Sequence, residues 1–145
     1  MQIPWYIPAI GAAIAWGIHY PLIDFAMKRI SIYGVLLLGV IPLFLLIPLF
    51  LRELAGDIEA FKLLPGKEQW AILSVSLTST AGAVLIYLSI NNKNATLASL
   101  IEITYPVFVI LFAYLLFRQI HVNLNVLFGG LMIMVGAGLI IYNNQ

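Results

Sequence analysis

The chain contains no cysteine, and few of its residues carry a charge. The absence of cysteine excludes disulfides, thiolate metal sites and cysteine nucleophiles. Charged residues make up only 9% of the 145 residues. A soluble domain averages about 25%, so this chain has too little charge to cover a water-exposed surface. The net charge is +1 and the longest basic run is Lys28-Arg29, which argues against nucleic acid as a partner.

Motifs of the common hydrolytic and nucleotide-dependent enzymes are also missing. The sequence has no HExxH, no P-loop, no paired histidine ligands and no Ser-His-Asp set with a nearby base. We therefore expect that the protein is not an enzyme and that it holds no metal and no cofactor.

Long apolar segments are abundant instead, because 63% of the residues are hydrophobic. A spanning helix needs roughly 17–25 mostly apolar residues. Five segments qualify: 3–26, 32–51, 70–90, 95–117 and 122–142. The first has no basic n-region and contains three prolines, so we do not expect it to be a cleaved signal peptide. The predicted fold class is an all-α membrane protein, with five antiparallel transmembrane helices in a single domain, residues 1–145.

The link between the second and third spans, residues 52–69, carries most of the charge. Apolar and charged residues alternate over 57–64, a pattern that suits a short helix lying on the membrane surface. A solvated loop fits this short stretch equally well. The other links, at 28–31, 91–94 and 118–121, are tight, which favours antiparallel neighbouring helices.

Glu102 lies within the apolar run 95–117, where a charge costs at least a few kcal/mol unless it is neutralised, paired or hydrated. Pro106 has no N–H to donate to the carbonyl of Glu102, so we expect the helix to break or bend there. Both groups must face protein or a water-filled cavity. We interpret Glu102 as a substrate-binding or proton-binding residue, with a structural hydrogen bond between helices as the alternative. Further breaks or bends are expected at Pro21, Pro42 and Pro48.

His19 lies nine residues in from Lys28, and Glu102 lies nine residues in from Lys93. At about 1.5 Å per residue, both residues sit roughly 13 Å below the same end of the helices. They meet if the first and fourth helices touch, and a His–Glu pair supplies a proton relay or a substrate clamp. A simple hydrogen bond from His19 to a neighbouring helix is the alternative.

Four other residues are candidates for contact with a substrate. Thr80 and Tyr87 share one face of the third span, and the rings of Trp16, Tyr87 and Tyr105 suit a flat or cationic ligand. Close helix packing is the alternative for the small, polar third span. In the fifth span, small residues recur at an interval of seven positions: Gly129 with Gly136, and Gly130 with Ala137. This spacing marks a contact between two copies or packing within one copy.

Lysine and arginine residues near the helix ends are almost evenly divided. The N-terminal side has Arg52, Lys62, Lys67 and Arg118, and the opposite side has Lys28, Arg29 and Lys93. This near tie fits either a weak preference for an inside N-terminus or insertion in both orientations. Two oppositely oriented copies form an inverted-repeat transporter with a site at the midplane.

Three spans carry short motifs whose order and spacing are more specific than any one of them. They are Trp16-Gly17 with His19 and Pro21 in the first span; 98–108 (ASLIEITYPVF) and 112–117 (FAYLLF) in the fourth; and 129–133 (GGLMI), Gly136 and 139–140 (LI) in the fifth. Over nearly its whole length, the sequence resembles one five-helix EamA unit of the drug/metabolite transporter superfamily.

The resemblance implies a multi-pass protein of a bacterial or archaeal cytoplasmic membrane that transports a small metabolite or drug, with proton coupling or exchange. One unit is then half of an inverted-repeat architecture, and we expect an antiparallel homodimer or an inverted paralogue as its partner, besides the lipid bilayer and a small-molecule substrate. Members commonly carry a Glu at the end of the fourth span, where this sequence has Gln119, so that role does not transfer. A non-transporting membrane scaffold or partner subunit is the alternative function.

Overall fold

The structure, a computed structural model, describes residues 3–119 and 122–144. Over these residues the chain is helical and contains no strand. The α-helices are α1 (Tyr6–Met27), α2 (Ile32–Leu46), α3 (Leu51–Leu63), α4 (Gly66–Asn92), α5 (Ala95–Glu102), α6 (Tyr105–Phe117) and α7 (Leu124–Asn143), and a 3₁₀ turn (Ile47–Leu49) follows α2.

Five helical segments of the described chain are long and apolar enough to cross a membrane. They are Tyr6–Met27, Ile32–Leu49, Gly66–Asn92, Ala95–Phe117 and Leu124–Asn143. They confirm the all-α membrane fold class and the five predicted spans, while the antiparallel arrangement stays a prediction. The third span begins four residues earlier than predicted, at Gly66 instead of Trp70. The predicted link 118–121 falls partly outside the described residues.

Three of the links between helices end in a residue that caps the next helix. The Ser31 hydroxyl accepts from the Gly34 N–H at 3.3 Å. The side chains of Asn94 and Asn123 accept from Leu97 N–H at 2.8 Å and Val126 N–H at 3.0 Å. A side-chain acceptor at this position satisfies an N–H of the first turn that has no partner within the helix. These caps explain why α2, α5 and α7 begin where they do.

The four prolines at which a break or a bend was expected have different outcomes. Pro21 lies inside α1 and Pro42 lies inside α2, and both helices continue past them. Neither proline ends its helix, because a proline removes only one ladder bond and a spanning helix tolerates this loss. A bend at Pro21 or Pro42 stays a prediction. Pro48 falls in the 3₁₀ turn. The fourth span is interrupted, because α5 ends at Glu102 and α6 starts at Tyr105.

The described chain divides into two compact units, of which the first takes residues 1–21 and 89–145. In this unit α5 packs against α7, and Ile90, Ala95, Ala98 and Ala137 are buried. A side-chain carbon of Val107 on α6 lies 3.3 Å from the position that a Cβ would take at Gly130 on α7. Gly130 therefore allows α6 and α7 to approach closely.

The second unit takes residues 22–88. Its buried residues are Ile23, Val35 and Tyr87. The Tyr87 hydroxyl on α4 lies 3.9 Å from the position that a Cβ would take at Gly39 on α2, so these two helices are in contact there. Most other large apolar residues of the unit are exposed, as is expected of helices whose outer faces contact lipid.

Candidate functional site

The candidate site of the first unit is built around Glu102, the last residue of α5. The Tyr20 hydroxyl on α1 donates a hydrogen bond to Oε2 of Glu102. Both side chains are half-buried, and 82 positions of sequence separate them. The contact therefore joins the first span to the fourth at the one carboxyl group of the fourth span.

The spacing of the backbone hydrogen bonds shortens from four residues to three immediately after Glu102. The N–H of Ile103 still donates to the Ser99 carbonyl at 3.0 Å, whereas the N–H of Thr104 donates to the Ile101 carbonyl at 3.1 Å, which is a tighter turn. Pro106 then occupies the first turn of α6, where its missing N–H costs no helical bond. The carbonyl end of one helix and the N–H end of the next thus meet beside a carboxyl group, as in discontinuous transmembrane helices that bind ions or substrates.

Two further ring-bearing residues of α1 lie next to Tyr20. The Trp16 and His19 ring centroids are 5.2 Å apart with the planes at 76°, and the Trp16 and Tyr20 centroids are 5.6 Å apart. His19 is half-buried and Trp16 is exposed. These side chains share one face of α1, because positions three and four residues apart are neighbours on a helix.

Tyr105 and Pro106 follow the interruption of the fourth span. Tyr105 is the first residue of α6, and 60% of its surface is exposed. The first unit therefore contains Glu102, Tyr20, His19 and Trp16 in one region, with Tyr105 three residues beyond the carboxyl group along the chain.

The other two predicted binding residues belong to the second unit. Thr80 is exposed on α4, whereas Tyr87 is buried. Earlier hydroxyl groups of α4 donate to carbonyls of their own helix: Ser74 to Ala71, Ser76 to Leu73, and Thr78 to Ser74. Bonds of this kind satisfy a hydroxyl without a neighbouring helix. A role for Thr80 and Tyr87 in binding stays a prediction.

Tyr20 was not among the residues predicted from the sequence. The match in depth predicted His19 as the neighbour of Glu102, whereas the hydrogen bond comes from the next residue. Tyr20 lies eight residues in from Lys28, which is within one residue of the depth of Glu102. Tyr20 therefore lies at a compatible depth, but a depth carries no information about the direction in which a side chain leaves the helix.

Comparison with known proteins agrees with this architecture. The sequence matches the EamA-like transporter family over residues 3–142, which includes all five spans and every residue of the candidate site. No curated protein and no solved structure matches the chain significantly. The resemblance to a single EamA unit is thus confirmed. The five spans and the extent of the match together show that this multi-pass chain belongs to the EamA-like transporter family, whose members carry small molecules across membranes.

Proposed function

We propose that the chain transports a small metabolite or drug by proton coupling or exchange, with Glu102 as the coupling or substrate-binding carboxylate. The observation that carries this proposal is the hydrogen bond from Tyr20 to Glu102 at the interruption of the fourth span. Intramembrane ionisable groups are rare, and those at a break between two helices commonly bind substrates or ions.

The scarcity of charged residues near Glu102 supports a role in which different positively charged partners bind to it in turn. Among the membrane-spanning residues of the first unit, Glu102 is the one Asp, Glu, Lys or Arg in the described sequence. Its ionised form therefore has no lysine or arginine in these spans to balance it. A proton, a bound cation, a cationic group of the substrate or a protonated His19 can supply neutrality. Replacement of one such partner by another supplies the exchange step of a transport cycle.

Tyr20 supplies a neutral donor that fits both forms of the carboxyl group. A phenolic hydroxyl donates to an ionised carboxylate, and it also donates to the carbonyl oxygen of a protonated one. Tyr20 therefore holds Glu102 in position while the charge of Glu102 changes. We propose His19 as the nearest polar neighbour of this pair, with the rings of Trp16 and Tyr105 contacting the substrate. For the second unit, taken by itself, we propose Thr80 and Tyr87 as substrate-binding residues.

We further propose that one complete EamA-like domain, residues 1–145, is half of the working transporter. The near tie between basic residues on the two sides supports insertion in both orientations. Two oppositely oriented copies, or one copy beside an inverted paralogue, would place two Glu102-type sites near the midplane of a bacterial or archaeal cytoplasmic membrane. Each copy has five antiparallel transmembrane helices in this arrangement.

A non-transporting scaffold is the second candidate function. The same hydrogen bond favours it, because a tyrosine that bridges two helices to a permanently protonated glutamate is a structural contact. In that case Glu102 holds α1 against α5, binds no substrate and moves no proton.

Transport by the purified chain separates these two functions. Proteoliposomes with a trapped pH indicator are challenged with a panel of amino acids, amines, nucleosides and drugs. We expect at least one solute to move protons across the wild-type membrane. The response should be lost in Glu102→Gln and kept in Glu68→Gln, a matched change at an exposed residue near the start of α4. A panel without any Glu102-dependent response supports the scaffold instead.

A further inference from the structure

We propose that α3 (Leu51–Leu63) lies flat on the bilayer, with its apolar face in the boundary between lipid headgroups and acyl chains. The apolar face consists of Leu51, Leu54, Ile58 and Phe61. The partner that we assign to this surface is lipid, neither a second copy of the chain nor water. This inference is independent of the proposed transport function.

The apolar face follows from helical geometry. Its residues are spaced by three, four and three positions, which places them on one stripe of a helix. Three of them, Leu51, Leu54 and Ile58, have 60%, 41% and 55% of their surface exposed. These three side chains are therefore not covered by the other helices of the second unit. Such an exposed row of large apolar side chains marks a contact surface.

The charged residues of α3 occupy the remaining circumference. At about 100° per residue, Arg52, Glu53 and Glu59 lie on the side opposite the apolar face, and Asp57 borders that face next to Phe61. Lys62 falls nearer to that face, but its Nζ lies 2.8 Å from Oε1 of Glu59, which draws the ammonium group toward the polar side. A short helix with one apolar and one charged face suits the bilayer surface.

The ends of α3 fix its position at the membrane. It follows the second span directly, because the 3₁₀ turn Ile47–Leu49 ends two residues before Leu51. At the other end, the Gln69 side-chain amide donates to the carbonyls of Phe61 and Leu64, both at 3.1 Å. Gln69 belongs to the first turns of α4, so this contact ties the end of α3 to the start of the third span.

The length and charge of α3 exclude a spanning position. Its 13 residues give a length of about 20 Å, whereas the hydrocarbon core is about 30 Å thick. Five of these residues are charged. The second span must therefore leave, and the third span must enter, at the same membrane surface. The exposed apolar face of α3 is then continuous with the lipid-facing sides of α2 and α4.

The charge of α3 also identifies the kind of lipid contact. Three acidic and two basic residues give a net charge of −1, so anionic headgroups do not attract this helix. We expect the contact to depend on apolar burial alone. It should form equally well in bilayers of zwitterionic phosphatidylcholine and in bilayers that contain anionic lipid.

The chain has no cysteine, so spin labels can be placed singly on the full-length protein. Leu54→Cys and Ile58→Cys place a label on the apolar face, and Glu53→Cys and Ala60→Cys, both at exposed positions, place one opposite. Val75→Cys, at an exposed position of α4 well within the third span, is the lipid reference. Each labelled protein is reconstituted in phosphatidylcholine nanodiscs, and its accessibility to oxygen and to a water-soluble nickel chelate is measured.

The proposal predicts a several-fold higher oxygen-to-nickel ratio at 54 and 58 than at 53 and 60, with the values at 54 and 58 approaching that at 75. Equal ratios at the four α3 positions would show that the helix lies in water and would overturn the proposal. Low accessibility to both reagents at 54 and 58 would show a protein contact and would also overturn it. Circular dichroism of each variant verifies that the helical content is unchanged, and the two opposite-face labels report on α3 even where an apolar-face variant is unstable.

Discussion

The hydroxyl of Tyr20 donates a hydrogen bond to the carboxyl group of Glu102 and thereby joins the first span to the fourth. Glu102 is the last residue of α5, and the helix resumes only at Tyr105. A neutral donor and a titratable acceptor thus meet where backbone groups are also released from regular helical bonding. This relationship is the basis of the proposed function.

Tyr20→Phe tests the contribution of this contact. The change removes the hydroxyl and keeps the ring, so packing against Trp16 is preserved. Hydrogen bonds between membrane helices contribute on average about 0.6 kcal/mol and at most about 2 kcal/mol. We expect a stability loss in that range together with a severe loss of solute-driven proton movement. Unfolding in mixed detergent micelles measures the first, and the proteoliposome assay measures the second.

Tyr33→Phe is the matched control for this change, because Tyr33 lies in α2 with 79% of its surface exposed. It should leave stability and transport unchanged. A Tyr20→Phe variant that loses stability but transports at the wild-type rate would show that the bond serves structure alone.

Substitutions in the two small-residue repeats of the fifth span are predicted to have different effects on stability. A Cβ at Gly130 would lie 3.3 Å from a methyl carbon of Val107, whereas nothing lies within 4 Å of a Cβ at Gly129. Gly130→Leu should therefore lower the free energy of unfolding of the isolated chain by about 1–3 kcal/mol through overpacking. Gly129→Leu should leave it unchanged. Equal stability of the two variants in detergent would contradict the close approach of α6 and α7.

The same pair of variants addresses contact between copies. If Gly129 and Gly136 line the contact between two copies, Gly129→Leu should weaken cross-linking between chains in membranes. Each chain should nevertheless stay folded. Unchanged cross-linking would move the contact to another helix.

Insertion in both orientations is a further prediction. Reporters that are active on only one side of the membrane, fused at the C-terminus, should give signal with both the cytoplasmic and the external reporter. The near tie of basic residues is the physical reason, because these residues set orientation. Signal from one reporter alone, together with no inverted partner that copurifies, would remove the homodimeric arrangement.

The sequence predicted the spans well because hydrophobic length is a strong signal. All five appear with small shifts at their ends, and the interruption beside Glu102 follows the rule that proline cannot continue the hydrogen-bond ladder. The same loss of an N–H does not end α1 at Pro21 or α2 at Pro42, since both helices continue past these prolines. Whether a proline ends a helix depends on its neighbours, which a single sequence does not specify.

The partner of Glu102 could be predicted only in part. Depth along the helix predicted His19 alone, although Tyr20 lies within one residue of the same depth, and neighbouring residues point about 100° apart around a helix. The direction in which each side chain leaves α1 is given only by the three-dimensional structure. The helix in residues 52–69 was likewise only one of two alternatives, and its apolar face became definite once α3 was seen to run from Leu51 to Leu63.

Uptake driven by an imposed pH gradient, compared between wild type and Glu102→Gln, tests the central claim most directly. Glutamine keeps the size of the side chain and an oxygen that accepts from Tyr20, but it cannot lose a proton. We predict that Glu102→Gln inserts and assembles normally and loses gradient-driven uptake, while Glu102→Asp retains part of it because the carboxylate survives. Undiminished gradient-driven uptake by Glu102→Gln would contradict the account and would remove Glu102 from the mechanism.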